Sequence, residues 1–238
     1  MKNVLVCENC KTENPNYSLI CTNCNSFLRA RVPNIDLWAT TARLIDSPVN
    51  SIQNIIYADH KNFVLLLLIL AALKNTLNIW TFINATADNL AAGLNVTVQI
   101  MTGMLLFSTV FIVGIIALTK IDRVIGIDNR LKDNIAIFTY SFIPMIILLI
   151  VLTPIYFAMY GLYWFMFNPS PFLIKPFASY IFIIIEALFT IWSCILFVIS
   201  MYVQTKKVFY SIVVGISFFC IISICTFYLT GLFNSLII

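Results

Sequence analysis

The chain has 238 residues, of which 61% are hydrophobic and 10% are charged, and its formal net charge is +4. Soluble domains carry about 25% charged residues, so this composition excludes an ordinary water-soluble protein and indicates one whose apolar surface faces lipid. The sequence contains no P-loop and no GxGxxG, GxSxG or HExxH motif, and we therefore expect no enzyme.

The first predicted unit, residues 1–32, contains two CxxC motifs, and ten residues separate the second from the first. Four thiolates at this spacing suit one tetrahedral Zn(II) ion, with Zn–S distances of about 2.3 Å. Because all four ligands are cysteines, no coordination position is open, and we expect one structural zinc ion in a small β zinc ribbon. Two disulfides are the alternative, and they would require an oxidising compartment. The predicted ligands are Cys7, Cys10, Cys21 and Cys24.

The segment between the two motifs carries a turn signal, Asn14-Pro15, followed by a short apolar run. This pattern predicts a β-hairpin that links the motifs. So small a unit has almost no core, and metal binding should supply its folding energy.

Residues 33–61 form an amphipathic linker with two predicted short helices. Asp36 can cap the first, and Ser47-Pro48 begins the second with serine at the N-cap. The apolar faces predict an interfacial position at the membrane surface, with Trp38 and Tyr57 at headgroup level. Packing of these faces on the cytosolic side of the protein itself is the alternative.

Residues 62–238 contain five apolar segments that are long enough to cross a bilayer. About 20 helical residues span a hydrocarbon core of about 30 Å, and the backbone must satisfy its own hydrogen bonds there. We therefore expect an all-α integral membrane protein with five transmembrane helices, preceded by the small β ribbon. The predicted spans are 62–82, 96–119, 134–160, 177–203 and 208–233.

The middle span, residues 134–160, has no charged residue. It contains Pro144 and Pro154, and each should kink the helix because proline lacks the backbone N–H.

The basic residues predict the orientation. Twelve of the 14 lysines and arginines fall in segments 1–61, 120–133 and 204–207, which five crossings place on one side. Only Lys175 falls on the other side, and Lys74 lies within the first span. The positive-inside rule then places the N-terminus in the cytosol and the C-terminus outside. The predicted thiolate site in the N-terminal segment agrees with this orientation, because the cytosol is a reducing compartment.

Two charged residues of opposite sign lie deep in the predicted spans. Helical rise places Lys74 about 12 Å and Glu186 about 13 Å from the outer boundary. We predict that they pair and join the first and fourth spans. The alternative is that Lys74 extends outward and Glu186 is protonated.

The predicted spans contain no histidine and no aspartate, which argues against an intramembrane protease. Three further cysteines, Cys194, Cys220 and Cys225, lie in apolar spans and are expected to be small core residues.

Three stretches resemble the Yip family (Ypt-interacting protein, the Yip-one domain). They are SPVNSIQNIIYADHKNF at Ser47–Phe63, TYSFIP at Thr139–Pro144 and WSCILFVISMYVQTKKVF at Trp192–Phe209. The resemblance covers about residues 40–235, and a ribbon ahead of such a domain is similar to prokaryotic members. It implies five spans with a cytosolic N-terminus in a prokaryotic plasma membrane. No Rab-recognition residue can be matched.

Two functions follow as hypotheses. In the first, the chain is a membrane-organising or adaptor protein whose cytosolic ribbon binds a protein partner. The alternative is a small transporter or channel that uses Lys74 and Glu186. Five spans cannot divide evenly into an inverted repeat, which speaks against a transporter. The expected partners are the lipid bilayer and an unidentified protein, with no nucleic acid; a homo-oligomer stays open.

Overall fold

The computed structural model describes residues 4–86 and 96–237, and side chains as far as 233. Residues 1–3 of the predicted ribbon and most of the predicted loop 83–95 lie outside the described residues. The described part is mostly helical, with a small two-stranded sheet near the N-terminus.

The sheet consists of β1 (Val4–Val6) and β2 (Glu13–Pro15). They pair antiparallel, with Val4 opposite Pro15 and Val6 opposite Glu13. The first CxxC motif therefore lies in the hairpin loop, and the prediction that a hairpin lies between the motifs was wrong. The Asn14-Pro15 turn signal misled it, because both residues belong to β2.

Two short helices follow the ribbon, α1 (Leu37–Asp46) and α2 (Pro48–Tyr57). The Asp36 side chain accepts a hydrogen bond from Ala39 N, which confirms the predicted cap of α1. Ser47 occupies the N-cap of α2 and Pro48 follows at the first helical position, but the Ser47 side chain makes no capping hydrogen bond. Both helices begin where the sequence predicted.

The apolar face of α2 packs on the protein itself. Its three isoleucines are buried, and α2 contacts the helix α5 (Leu131–Tyr140), whereas Val49 at its start is 37% exposed. This is the alternative considered above for the linker. Trp38 on α1, by contrast, is 83% exposed. The buried residues of α2 are Ser51, Ile52, Ile55 and Ile56.

Among the described residues, five helical segments are long and apolar enough to cross a membrane, which suggests an integral membrane protein. The segments comprise six helices, because the third is interrupted. These helices are α3 (Val64–Thr86), α4 (Val96–Val124), α5, α6 (Ile143–Tyr160), α9 (Pro176–Thr205) and α10 (Val208–Ile237). Two single-turn helices lie between α6 and α9, namely α7 (Tyr163–Met166) and α8 (Pro171–Ile174).

The interruption of the third span lies at residues 141–142, between α5 and α6. Pro144 explains it, because its missing N–H cannot bond the carbonyl of Tyr140 one turn earlier. Pro154 lies inside α6, which continues through it. Of the two proline sites, only that at Pro144 coincides with a break in the helix.

The helix α4 is longer than the predicted span and runs through Lys120, Asp122 and Arg123. Asp122 is fully buried. The helical segments are thus longer than the predicted spans and include two buried aspartates that those spans lacked, Asp122 and Asp133.

The residue contacts form two compact units, which are described separately. Unit 1 comprises residues 1–65, 113–141 and 195–218, and unit 2 comprises residues 66–112, 142–194 and 219–238. The core of unit 1 includes Phe138, whose ring stacks on Phe197 with 5.3 Å between centroids and contacts Phe218 at 5.2 Å.

The core of unit 2 joins α3, α6 and α7 through aromatic and leucine side chains. The Tyr156 and Trp164 rings stack with 4.2 Å between centroids, and Trp80 stacks on Phe165 at 6.0 Å. The buried residues of this cluster are Leu77, Trp80, Leu148, Leu149, Leu152, Tyr156, Tyr160, Trp164 and Phe165.

Candidate metal centre and buried polar clusters

The loop that carries the first CxxC motif is held by two backbone hydrogen bonds. Cys7 N donates to Thr12 O at 3.0 Å, and Lys11 N donates to Cys7 O at 2.9 Å. Lys11 adopts a positive φ of 58°, which reverses the chain and turns both cysteines to the same side.

The second motif repeats this geometry fourteen residues later. Cys21 N donates to Ser26 O at 2.9 Å, and Asn25 N donates to Cys21 O at 3.1 Å. Asn25 also has a φ of 58°. The segments Cys7–Thr12 and Cys21–Ser26 share the pattern Cys-x-Asn-Cys-x-hydroxyl, so the repeat is visible in the sequence once the geometry is known.

The two motifs bring the four predicted ligands together. All four Sγ atoms lie within 4.8 Å of one another, and the nearest pairs, Cys7–Cys24 and Cys10–Cys21, are each 3.5 Å apart. All four thiols are free, and even the nearest sulfurs lie farther apart than the about 2.0 Å of a disulfide bond. A tetrahedral ion with ligands at about 2.3 Å would separate its sulfurs by about 3.8 Å. The cluster is compatible with a single metal site.

Hydroxyl groups next to the cluster favour the thiolate forms of Cys7 and Cys10. Ser26 Oγ lies 3.1 Å from Cys7 Sγ, and hydrogen bonding by Ser26 is the main cause that lowers the pKa of Cys7. Thr12 Oγ1 lies 3.3 Å from Cys10 Sγ, and hydrogen bonding by Thr12 lowers the pKa of Cys10 to about 5. Thiolate is the form that binds a metal ion.

Asn14 connects the two loops and was not predicted as a site residue. Its side chain is buried and donates to Thr12 O at 2.9 Å, and its Oδ1 accepts from Thr22 N at 2.9 Å. Nothing in the local sequence distinguishes it from a turn asparagine.

Aromatic and ionic contacts anchor the ribbon within unit 1. The Arg29 guanidinium lies over the Tyr57 ring at 4.3 Å, and Arg130 lies over the Tyr17 ring at 4.3 Å. Arg31 donates to Asp59 at 2.7 Å and holds the pKa of that carboxyl below its usual value. Tyr57 thus supports the ribbon.

An ionic cluster around the buried Asp133 shares Arg130 with these contacts. Asp133 accepts from Arg130 at 2.7 Å and lies 3.0 Å from the Lys61 ammonium. Lys61 also donates to the carbonyls of Ile55 and Ile56 at the end of α2. Burial lowers the pKa of Lys61, and the nearby Asp133 opposes this effect. The cluster ties the linker to the first turn of α5.

A chain of buried polar side chains continues from α4. Asp122 accepts from Tyr210 at 2.8 Å and from Asn129 at 2.7 Å, and Asn129 also donates to Gln204 at 3.2 Å. This chain links α4, α9 and α10 within unit 1.

The same chain reaches α5 through a second set of amide bonds. Gln204 donates to Asn134 Oδ1, and Asn134 donates to Thr119 at 2.8 Å. Asn134 is fully buried. Sequence reasoning missed these residues, because isolated amides at span ends carry no signal until their partners are known.

In unit 2, Lys74 on α3 forms an ion pair with Glu186 Oε1 on α9. The Lys74 side chain is 2% exposed and that of Glu186 is 18% exposed. Tyr156 on α6 also donates to Glu186 Oε1, at 2.9 Å. The predicted pairing is confirmed, and the outward-extended Lys74 is not observed.

The three other cysteines do not lie in a core. Cys220 and Cys225 are exposed on α10, and Cys194 is partly buried on α9. The expectation of small core residues was wrong. Their position suits an apolar helix surface, since a thiol is weakly polar and tolerates an apolar environment.

No protein-family model, curated protein or solved structure matches the chain.

Proposed function

We propose that this chain is a multi-pass membrane protein of Yip type that acts as an adaptor, with a cytosolic zinc ribbon that binds a protein partner. The polar contacts described above hold the ribbon against α2 and the segment before α5. A domain anchored in this way presents a defined surface, whereas a tethered domain would move freely.

Zinc is the metal that best suits the site. Four soft thiolate ligands at tetrahedral spacing favour Zn(II) over the oxygen-preferring ions Mg²⁺ and Ca²⁺. Four cysteines leave no ligand position for a substrate, so the proposed zinc is structural.

The observation that carries the adaptor proposal is an exposed apolar pair on the ribbon. Ile20 and Phe27 pair across a bridge that flanks the second CxxC motif. Phe27 is 76% exposed and Ile20 is 45% exposed. Exposed aromatic residues on a small rigid domain are typical of a protein-binding surface.

We further propose the prokaryotic plasma membrane as the location, with the N-terminus cytosolic and the C-terminus outside. The support is the placement of twelve basic residues on one side of five crossings. The resemblance to the Yip family supports the same orientation.

The alternative, a transporter or channel, loses support from the ion pair. Lys74 and Glu186 neutralise each other and contact Tyr156. Such a closed pair serves helix packing, whereas a pathway residue would need a partner that changes during transport.

Crosslinking in native membranes tests the adaptor proposal. The intact protein and its Phe27→Ser variant are crosslinked before solubilisation, and the captured proteins are compared. We expect a partner that the wild-type protein captures and the variant loses, because the variant removes the apolar anchor.

Trp38→Ser provides the matched control, since Trp38 is also an exposed aromatic residue but lies on α1. It should keep the partner. Identical crosslinks in all three proteins would contradict the proposal.

A further inference from the structure

Two open cavities flank α3 in unit 2, and neither belongs to the sites described above. One, of about 510 Å³, lies between α3, α6, α9 and α10. The other, of about 740 Å³, lies between α3, α9 and the segment of α7 and α8. Both volumes fall in the range of about 300–1,000 Å³ that small-molecule sites occupy. Three residues line both cavities: Asn78, Phe82 and Thr190.

Two of these shared residues are polar. Asn78 and Thr190 are partly exposed toward the cavities, and among the residues that the structure describes neither has a hydrogen-bond partner. Thr81 on α3, by contrast, donates to the carbonyl of Leu77, four residues earlier, at 2.9 Å. The Thr190 hydroxyl is therefore free for another acceptor or donor.

Unpartnered polar groups are costly in an apolar environment, because no water is present to replace the missing bonds. Within the residues described, the remaining walls are mostly aromatic and aliphatic, and they include Trp164 and Phe172. A ligand that fills this space must be largely apolar, and its polar part must both donate and accept hydrogen bonds.

The local charge indicates that the polar part is neutral. Glu186 lines the larger cavity, but its charge is balanced by Lys74. Its second oxygen, Oε2, is shielded from solvent and has no hydrogen-bond partner. An added cation or anion would leave an unbalanced charge beside this pair.

We propose that the two cavities bind a neutral amphiphile, with a hydroxyl or amide head between Asn78 and Thr190 and an apolar chain along the aromatic walls. Both cavities are open and lie against helices that are long and apolar enough to cross a membrane, so in a bilayer the ligand would enter laterally. This inference does not depend on the proposed adaptor function.

Photolabelling of the intact protein in phosphatidylcholine vesicles tests the proposal. The probe is hexadecanol with a diazirine in its chain, which is neutral and carries one hydroxyl. We expect saturable labelling of α3 and α9 that excess hexadecanol displaces and excess hexadecane does not. Displacement by both competitors alike, or labelling that never saturates, would show bulk lipid filling the cavities and would overturn the proposal.

Thr190→Val tests the head-group contact with almost no change in side-chain volume. Loss of one hydrogen bond should weaken competition by hexadecanol about fivefold. Asn78→Leu should weaken it further, because the amide can both donate and accept. If hexadecanol displaced the probe from both variants as effectively as from the wild-type protein, the proposed contacts would be contradicted.

Thr109→Val is the matched control, since Thr109 is exposed on α4, bonds its own helix and lines neither cavity. Hexadecanol should displace the probe from this variant as it does from the wild-type protein. Palmitate, an anionic chain of equal length, should compete less well than hexadecanol; stronger competition by palmitate would exclude a neutral site.

Discussion

The Lys74–Glu186 pair is buried within unit 2 and joins α3 to α9. Either charge alone would be costly to bury, since removing one partner of a buried ion pair costs about 3–5 kcal/mol. Replacing both with apolar residues of similar size is often neutral. The pair is therefore best understood as a specific link between two helices.

We expect Lys74→Leu and Glu186→Leu to lower stability in detergent by about 3 kcal/mol each. The double variant should recover most of this loss, because no unpaired charge is left. Thermal unfolding of the purified variants measures the coupling, and strictly additive losses would show that the two residues act independently.

Tyr156→Phe is the companion variant. It removes one hydrogen bond to Glu186 and should cost only about 1 kcal/mol. The same bond is lost in the double variant, which explains why recovery there should be incomplete.

Single residues differ in how far the sequence predicts them. Two opposite charges at equal depth suffice to predict the Lys74–Glu186 pair, because few other partners exist in an apolar span. Asp122 could not be predicted as buried, since its partner Tyr210 lies 88 residues away and the surrounding residues suggest a charged loop.

At the scale of elements, the ribbon derives its order from the four cysteines and two hydroxyl residues rather than from a hydrophobic core. Its strands have only three residues each. Such short strands are not stable alone, so metal binding should supply much of the folding energy.

Metal analysis of the intact protein should give one zinc per chain. Cys21→Ser should lose it, because one of four ligands is removed, whereas Cys220→Ser should retain it. A zinc content near zero in wild-type protein with an ordered ribbon would refute the proposed structural zinc.

Close packing of α9 and α10 provides an element-scale test. A Cβ at Gly215 would lie 2.8 Å from Val198 Cα, so the two helices would have to separate. Gly215→Ala should lower stability by about 1–3 kcal/mol, as measured by thermal unfolding.

Gly231→Ala is the matched control on the same helix, since a Cβ there meets nothing within 4 Å. It should be neutral or slightly stabilising, because alanine favours helix over glycine. Equal stability changes for both variants would show that close packing at Gly215 does not control the effect.

The sequence predicts the elements well where apolar runs are long. It predicts them poorly where an element forms only through contacts with distant residues. The five spans are evident from hydropathy, and cysteine spacing predicts the cluster. The hairpin was predicted between the two CxxC motifs, because Asn14-Pro15 resembles a turn. The structure instead pairs β1 with β2 on either side of Cys7 and Cys10. Strands of three residues give too short a pattern to be recognised in the sequence.

At the scale of the whole molecule, each unit has its own polar centre. Unit 1 contains the cysteine cluster, the Lys61–Asp133–Arg130 contacts and the amide chain from Asp122 to Thr119. Unit 2 contains the Lys74–Glu186 pair and the two cavities. The proposed cytosolic recognition surface therefore belongs to unit 1, and the proposed amphiphile site belongs to unit 2.

The topology tests the central claim most directly. The full chain is fused to a fluorescent protein that matures only in the cytosol, once at the N-terminus and once at the C-terminus. Five crossings with a cytosolic ribbon predict fluorescence from the N-terminal fusion and none from the C-terminal fusion, with both proteins in the membrane fraction. Fluorescence from both fusions, or from the C-terminal fusion alone, would contradict the account.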